Sequence, residues 1–170
     1  MKDHYEGVEN VPTFYSNLKD YKLHPKEEKL DSLPFFNADE DSYKDIPRLA
    51  EEAGVHIVPI YAYIHGNIAL SINRGGQFAC QWDSGLAGYA VYPNKVTQTD
   101  LDILQSYIEL YNNIAVGSIY MLSIVDEFDN EIENITGIVG FDSLEIEALA
   151  LAKAYNISNA DVQYAQEHIK

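Results

Sequence analysis

Residues 55–72 read VHIVPIYAYIHGNIALSI. Two β-rich runs, Val55 to Tyr63 and Asn67 to Ile72, flank His65-Gly66, a tight-turn signal, so the stretch reads as a hairpin. Pro59 donates no backbone N–H, which marks its run as an edge strand or the site of a bulge. Upstream, Asp45 offers a capping group and Ile46 to Ala53 suits a short helix, with Pro47 in its first turn and Gly54 at its end. Downstream, Gly75-Gly76 opens a loop that runs through Trp82-Asp83-Ser84-Gly85, and Leu86 to Tyr92 forms a third strand.

Further out, Thr97 or Thr99 can cap a helix whose first turn carries Asp100 and Asp102, where negative charge is favoured. Leu101, Leu104, Ile108 and Tyr111 mark its buried stripe, and Gly117 ends it. Ser118 to Val125 is a strand, Asp126 to Asn130 a hairpin turn, and Glu131 to Gly140 a returning, more polar strand. Asp142 or Ser143 caps another helix, and Ser158 begins a last one. Residues 1–40, with Pro12, Pro25 and Pro34, read as an irregular or partly extended region anchored by Phe14, Tyr15, Tyr21, Phe35 and Phe36. The expected class is α+β, with an antiparallel sheet of about five strands and two to four helices packed on it. Residues 41–170 are expected to form one such domain.

Hydrophobic residues make up 46% of the 170, enough for a sizeable core. No apolar run approaches the roughly 18–20 residues of a membrane span. The first residues lack the apolar stretch of a signal peptide, so the expected location is the cytoplasm. The single cysteine, Cys80, excludes an intramolecular disulfide. Charge is the dominant compositional feature: 27 Asp and Glu against 11 Lys and Arg give a net charge of −16. Such a chain repels nucleic acid and anionic membrane and attracts basic proteins. Its distribution is uneven, because no Lys or Arg stands between Lys95 and Lys153, a tract holding eleven acids. Solubility alone does not exclude one sign of charge from a third of a chain; a continuous negative field would.

Two segments, Ile60-Tyr61-Ala62-Tyr63-Ile64-His65-Gly66-Asn67-Ile68-Ala69-Leu70-Ser71 and Cys80-Gln81-Trp82-Asp83-Ser84-Gly85-Leu86-Ala87-Gly88-Tyr89, resemble a widespread family of small phage and mobile-element proteins. That family carries a Tyr-x-His-Ser-Gly-like segment, then Cys-x-Trp-Asp-Ser-Gly-x-x-Gly, a helix, a strand like Gly117 to Met121, an acidic turn and a Gly-Phe-rich strand like Gly137 to Phe141. The chain departs from it where Gly66 directly follows His65 and where Asn134 to Gly137 replaces a tryptophan-bearing stretch. The resemblance implies a setting, a phage or integrated element in which small acidic proteins blunt host defence, rather than a mechanism. Plasmid antirestriction proteins and other DNA mimics are similar in size and acidity only.

Candidate chemistry is sparse. Cys80, His65 and Asp83 have the residue types of a thiol hydrolase triad; an inert cysteine and a turn histidine are the favoured alternative. Trp82, Asp83, Ser84 and Gly85 are read as a loop scaffold, with Asp83 closing a turn and Trp82 packing across the sheet; a partner-binding tip is the alternative. Asp126-Glu127-Phe128-Asp129-Asn130-Glu131 is rich in oxygens but lacks the glycine and spacing of an EF-hand, so it reads as a solvated turn. The five histidines show no metal-ligand spacing, and no glycine loop has a phosphate-cradling context. Neither a metal nor a cofactor is expected.

The expected function is that of an acidic interaction protein and not an enzyme. It would inhibit a host nucleic-acid-binding defence system, of the anti-restriction or anti-CRISPR type, by presenting a DNA-mimicking surface to a basic partner. It would touch neither nucleic acid nor membrane directly, and a homodimer is compatible with it. The expected partner-binding residues are Asp126, Glu127, Asp129, Glu131 and Glu133 at the hairpin, with Asp142, Glu145 and Glu147 beside them. The alternatives are a hydrolase using Cys80 and His65, and a structural accessory protein of the mobile element.

Overall fold

The computed structural model describes residues 9–128 and 130–157. It has the α+β composition, in two compact units, residues 1–109 and 110–170. The boundary anticipated near residue 40 thus falls inside the first unit. The last helix anticipated from Ser158, with His4 and His168, lies outside the described residues.

The first unit contains β1 (Thr13–Ser16), β2 (Glu28–Lys29), α1 (Ile46–Glu52), β3 (His56–His65), β4 (Asn67–Ser71) and β5 (Ser84–Tyr92). The five strands make one sheet in the order β2-β1-β5-β3-β4, with β1 and β2 parallel and the other neighbours antiparallel. The hairpin of residues 55–72 is present: Ile64 faces Ile68 and His65 faces Asn67 across Gly66, whose φ of 81° suits a residue without a Cβ. Pro59 lies where only β5 flanks β3, because β4 begins pairing at Tyr61. The β3–β5 register then shifts between Ile60 and Tyr61. β3 is therefore an inner strand and not an edge strand, and of the two alternatives the irregularity, one residue beyond Pro59, is the one present.

The N-terminal segment is more ordered than its prolines suggest. β1 inserts between β2 and β5, and Phe14, Tyr15, Leu23, Leu30, Leu33 and Phe36 are all buried. Strand alternation sends Tyr15, Tyr89, Ile57 and Val91 to one sheet face, where Leu30, Leu33, Phe36, Ile46 and Leu49 cover them. The opposite face carries Phe14, Val58, Ile60, Ala90 and Tyr92. Against it lies the first half of α2 (Gln98–Ala115). The Phe14 and Tyr107 rings sit 5.3 Å apart, and the Tyr107 hydroxyl donates to the Leu23 carbonyl at 2.5 Å. Leu104 and Ile108 are fully buried on this stripe, each contributing about 1.5–3 kcal/mol of transfer free energy.

Thr97 starts α2 with a reciprocal cap: its hydroxyl accepts from the Asp100 N–H at 3.2 Å, and Asp100 Oδ2 accepts from the Thr97 N–H at 2.8 Å. Asp45 has a different role from the one expected. Its carboxylate folds back on the Ser42 N–H at 3.3 Å and closes a 3₁₀ turn, leaving α1 without a side-chain cap.

The second unit contains the end of α2, then β6 (Ile119–Val125), β7 (Glu131–Val139) and α3 (Phe141–Ala154). Among the described residues, β6 and β7 pair only with each other, as a separate two-stranded sheet rather than as members of the larger one. Tyr120, Leu122 and Ile124 share a face with Ile138, Ile135 and Glu133, and α3 packs on this hairpin through its buried residues Leu144, Ala148 and Ala152. α3 begins at Phe141, ahead of the expected caps Asp142 and Ser143. The Phe141 ring, edge-on to Tyr120 at 6.1 Å, draws that residue into the first turn.

Candidate functional site

Of the eight acids expected to bind a partner, Asp129 lies outside the described residues and the other seven are in the second unit. Six are exposed and Asp126 is half-buried. Asp126 organises the hairpin turn. Its Oδ1 accepts from the Phe128 and Asn130 N–H groups at 2.8 and 2.9 Å, and the Asn130 amide donates to Oδ2 at 2.9 Å. These bonds, the Asn130 side chain foremost, hold its carboxyl below the usual range. Asp126 is thus a turn-builder first, with its oxygens already engaged.

The other carboxylates point in several directions. Glu131 pairs with Val125 on the sheet face away from Ile124, where the Asn134 amide donates to it at 2.9 Å. Glu133 pairs with Ile124 on the opposite face, and the Tyr155 hydroxyl donates to it at 3.1 Å. That bond pushes the Tyr155 phenol above its usual value. Glu145 and Glu147 are two positions apart on α3, roughly 200° around its axis. The expected single anionic patch is therefore corrected to acids on several faces, because strand alternation and helical pitch separate residues that are adjacent in sequence. Among the described residues, none of the seven pairs with a lysine or arginine.

Trp82, Asp83, Ser84 and Gly85 lead into β5. The Ser84 hydroxyl donates to the Phe78 carbonyl at 2.9 Å and also contacts the Cys80 carbonyl, and the Ile64 N–H donates to the Asp83 carbonyl at 2.8 Å. Asp83 through its carbonyl, Ser84 through its hydroxyl and Gly85 by pairing with Ala62 tie the loop to the sheet, whereas the Asp83 carboxylate closes no turn and lies near His65 and Cys80 instead. Trp82 does not pack across the sheet as expected; it is 91% exposed. Backbone pairing and Ser84 already fix the loop, so no indole is needed beneath it.

Cys80, His65 and Asp83 are brought together, but in an order that does not make a triad. His65 Nδ1 lies 3.6 Å from Asp83 Oδ2, and Cys80 Sγ lies 4.0 Å from that same oxygen. The carboxylate, not the imidazole, is the thiol's neighbour, whereas a nucleophile needs a base beside it. Among the described residues, no group of three or more His, Cys, Asp or Glu side chains could hold a metal ion, and no helix is long and apolar enough to cross a membrane.

Sequence reasoning missed two features. Asn10, whose amide donates to Asp100 Oδ2 at 3.0 Å, gave no signal, because its partner is 90 residues away. The exposed apolar side chains of the second unit gave one that went unused: residues 118–125, SIYMLSIV, do not alternate with polar residues, so both faces of that strand carry apolar groups. No protein-family model, curated protein or solved structure matches the chain.

Proposed function

We propose that the chain is an acidic interaction protein that binds a basic, nucleic-acid-binding protein through its second unit. One observation carries this reading: exposed carboxylates in a tract without Lys or Arg from residue 96 to 152, with no ion pair among the described residues to neutralise them. Unpaired exposed charge contributes little to folding, whereas against a basic groove it accelerates association and fixes orientation. In the phage or mobile-element setting the partner would be a host defence factor, and the mechanism would be competition, carboxylates occupying phosphate sites.

The test immobilises the chain and the Glu131→Lys/Glu133→Lys/Glu145→Lys/Glu147→Lys variant and passes host extract over both at about 0.1 M salt. The wild-type chain retains basic nucleic-acid-binding proteins, releases them at roughly 0.5 M salt, and displaces DNA from them once purified. Equal retention by the variant would overturn the reading. The hydrolase alternative is not favoured by any specific observation, since His65 and Cys80 are each recorded only against the same Asp83 oxygen.

A further inference from the structure

Among the described residues of the second unit, α3 covers one face of the β6–β7 hairpin. α3 lies on the hairpin face of Tyr120, Leu122, Ile124, Ile135 and Ile138. The other face carries Ile119, Met121, Ser123 and Val125 from β6, paired with Val139, Thr136, Asn134 and Glu131 from β7. Met121 is 48% and Val125 53% exposed. The Asn134 amide, 3.7 Å from Met121 Sδ and 2.9 Å from Glu131 Oε2, confirms that these groups share a surface. Ile119, Met121, Val125 and Val139 are its apolar groups, with the Glu131 carboxylate at one end, and no ion pair to these acids is formed among the described residues.

Resting on the proposed function, we infer that this open face docks a basic amphipathic helix of the partner protein. Three physical points select that occupant. Met121 and Val125 are four strand residues apart, about 13 Å, which matches the ~12 Å between helix positions i and i+8. α3 occupies the equivalent place on the opposite face with that spacing, Leu144, Ala148 and Ala152. Charge complementarity then requires the helix to be basic, since Glu131 borders the strip and the surrounding tract carries no other sign. A second copy of the chain is disfavoured for the same reason, because residues 96–152 offer no Lys or Arg to set against Glu131.

The probe is a labelled helical peptide of Leu and Lys, with Leu at i, i+4 and i+8, titrated against the full chain by fluorescence anisotropy beside a scrambled peptide of the same composition. The helical peptide is expected to bind roughly tenfold more tightly than the scrambled one, and Met121→Thr/Val125→Thr to abolish that difference. Glu40→Gln/Glu51→Gln, exposed acids of the first unit that belong to no proposed binding surface, is expected to change it less than twofold. A photo-reactive leucine in the peptide reads the contact on the wild-type chain without any variant, and cross-links are expected on residues 119–125. Equal binding of the two peptides, released alike by salt, overturns the docking face and leaves the acidic reading standing. Cross-links confined elsewhere, or a dimer that Met121→Thr/Val125→Thr dissociates, also overturn it. No binding of either peptide overturns both readings.

Discussion

Asp100 shows how one side chain can join distant parts of the first unit. It is buried, caps α2 against Thr97, and accepts from the amide of Asn10. Hydrogen bonds from the Thr97 N–H and hydroxyl, then from Asn10, hold its carboxyl below the usual range. A depressed folded-state pKa contributes stability that is present above the unfolded-state value, about 3.9, and is lost as pH falls through the folded-state value. Acidification below about pH 4 should therefore destabilise the wild type. Asp100→Asn, which cannot ionise, should be less stable by roughly 1–3 kcal/mol at neutral pH and should show a flatter acid limb in urea titrations. An unchanged acid limb would refute the role given to this carboxylate. Trp82, the one tryptophan, should emit as a water-exposed indole and be quenched by acrylamide as freely in the folded as in the unfolded chain. Trp82→Ala should alter stability by no more than about 0.5 kcal/mol; a larger loss would restore the scaffold reading.

Among the elements, β5 is the most constrained. A Cβ at Gly88 would fall far inside van der Waals contact distance of the Tyr15 carbonyl oxygen and press on Leu23 and Ser16. The strand can pair with β1 only because that position is bare. Gly88→Ala should cost about 1–3 kcal/mol or more, read as a lower urea midpoint, and a neutral result would contradict the β1–β5 register. The hairpin of β3 and β4, the α2 stripe and the turn at 126–130 were all legible in the chain, because each is fixed by local chemistry: a Gly turn, a helical repeat with a Thr cap, and a run of Asp and Asn. The place of β1 was not, since Thr13–Ser16 gains its strand character from β5, more than 70 residues away. The separation of β6 and β7 from the larger sheet was equally hidden, because local pattern announces a strand and not its neighbour. The candidate site was legible as composition only; which face each carboxylate occupies follows from register, bulges and helix phase.

For the molecule as a whole, the net charge of −16 is the property from which function is argued. An ordinary mixture of signs in residues 1–54 gives way to a tract of acids alone. The second unit pairs that tract with apolar side chains left in solvent, Phe128 at 75% and Ile132 at 55% exposure among them. Acidity for solubility does not call for exposed apolar groups, whereas a binding surface uses both, apolar contact for affinity and charge for rate and selectivity. The most direct measurement is the affinity of the chain for the basic protein it retains, titrated from about 0.05 to 0.5 M salt, for wild type and for the Glu131→Lys/Glu133→Lys/Glu145→Lys/Glu147→Lys variant. The account predicts steep weakening with salt for the wild type, with a shallower slope and weaker binding for the variant. Affinity that ignores salt, or a variant indistinguishable from wild type, would contradict it.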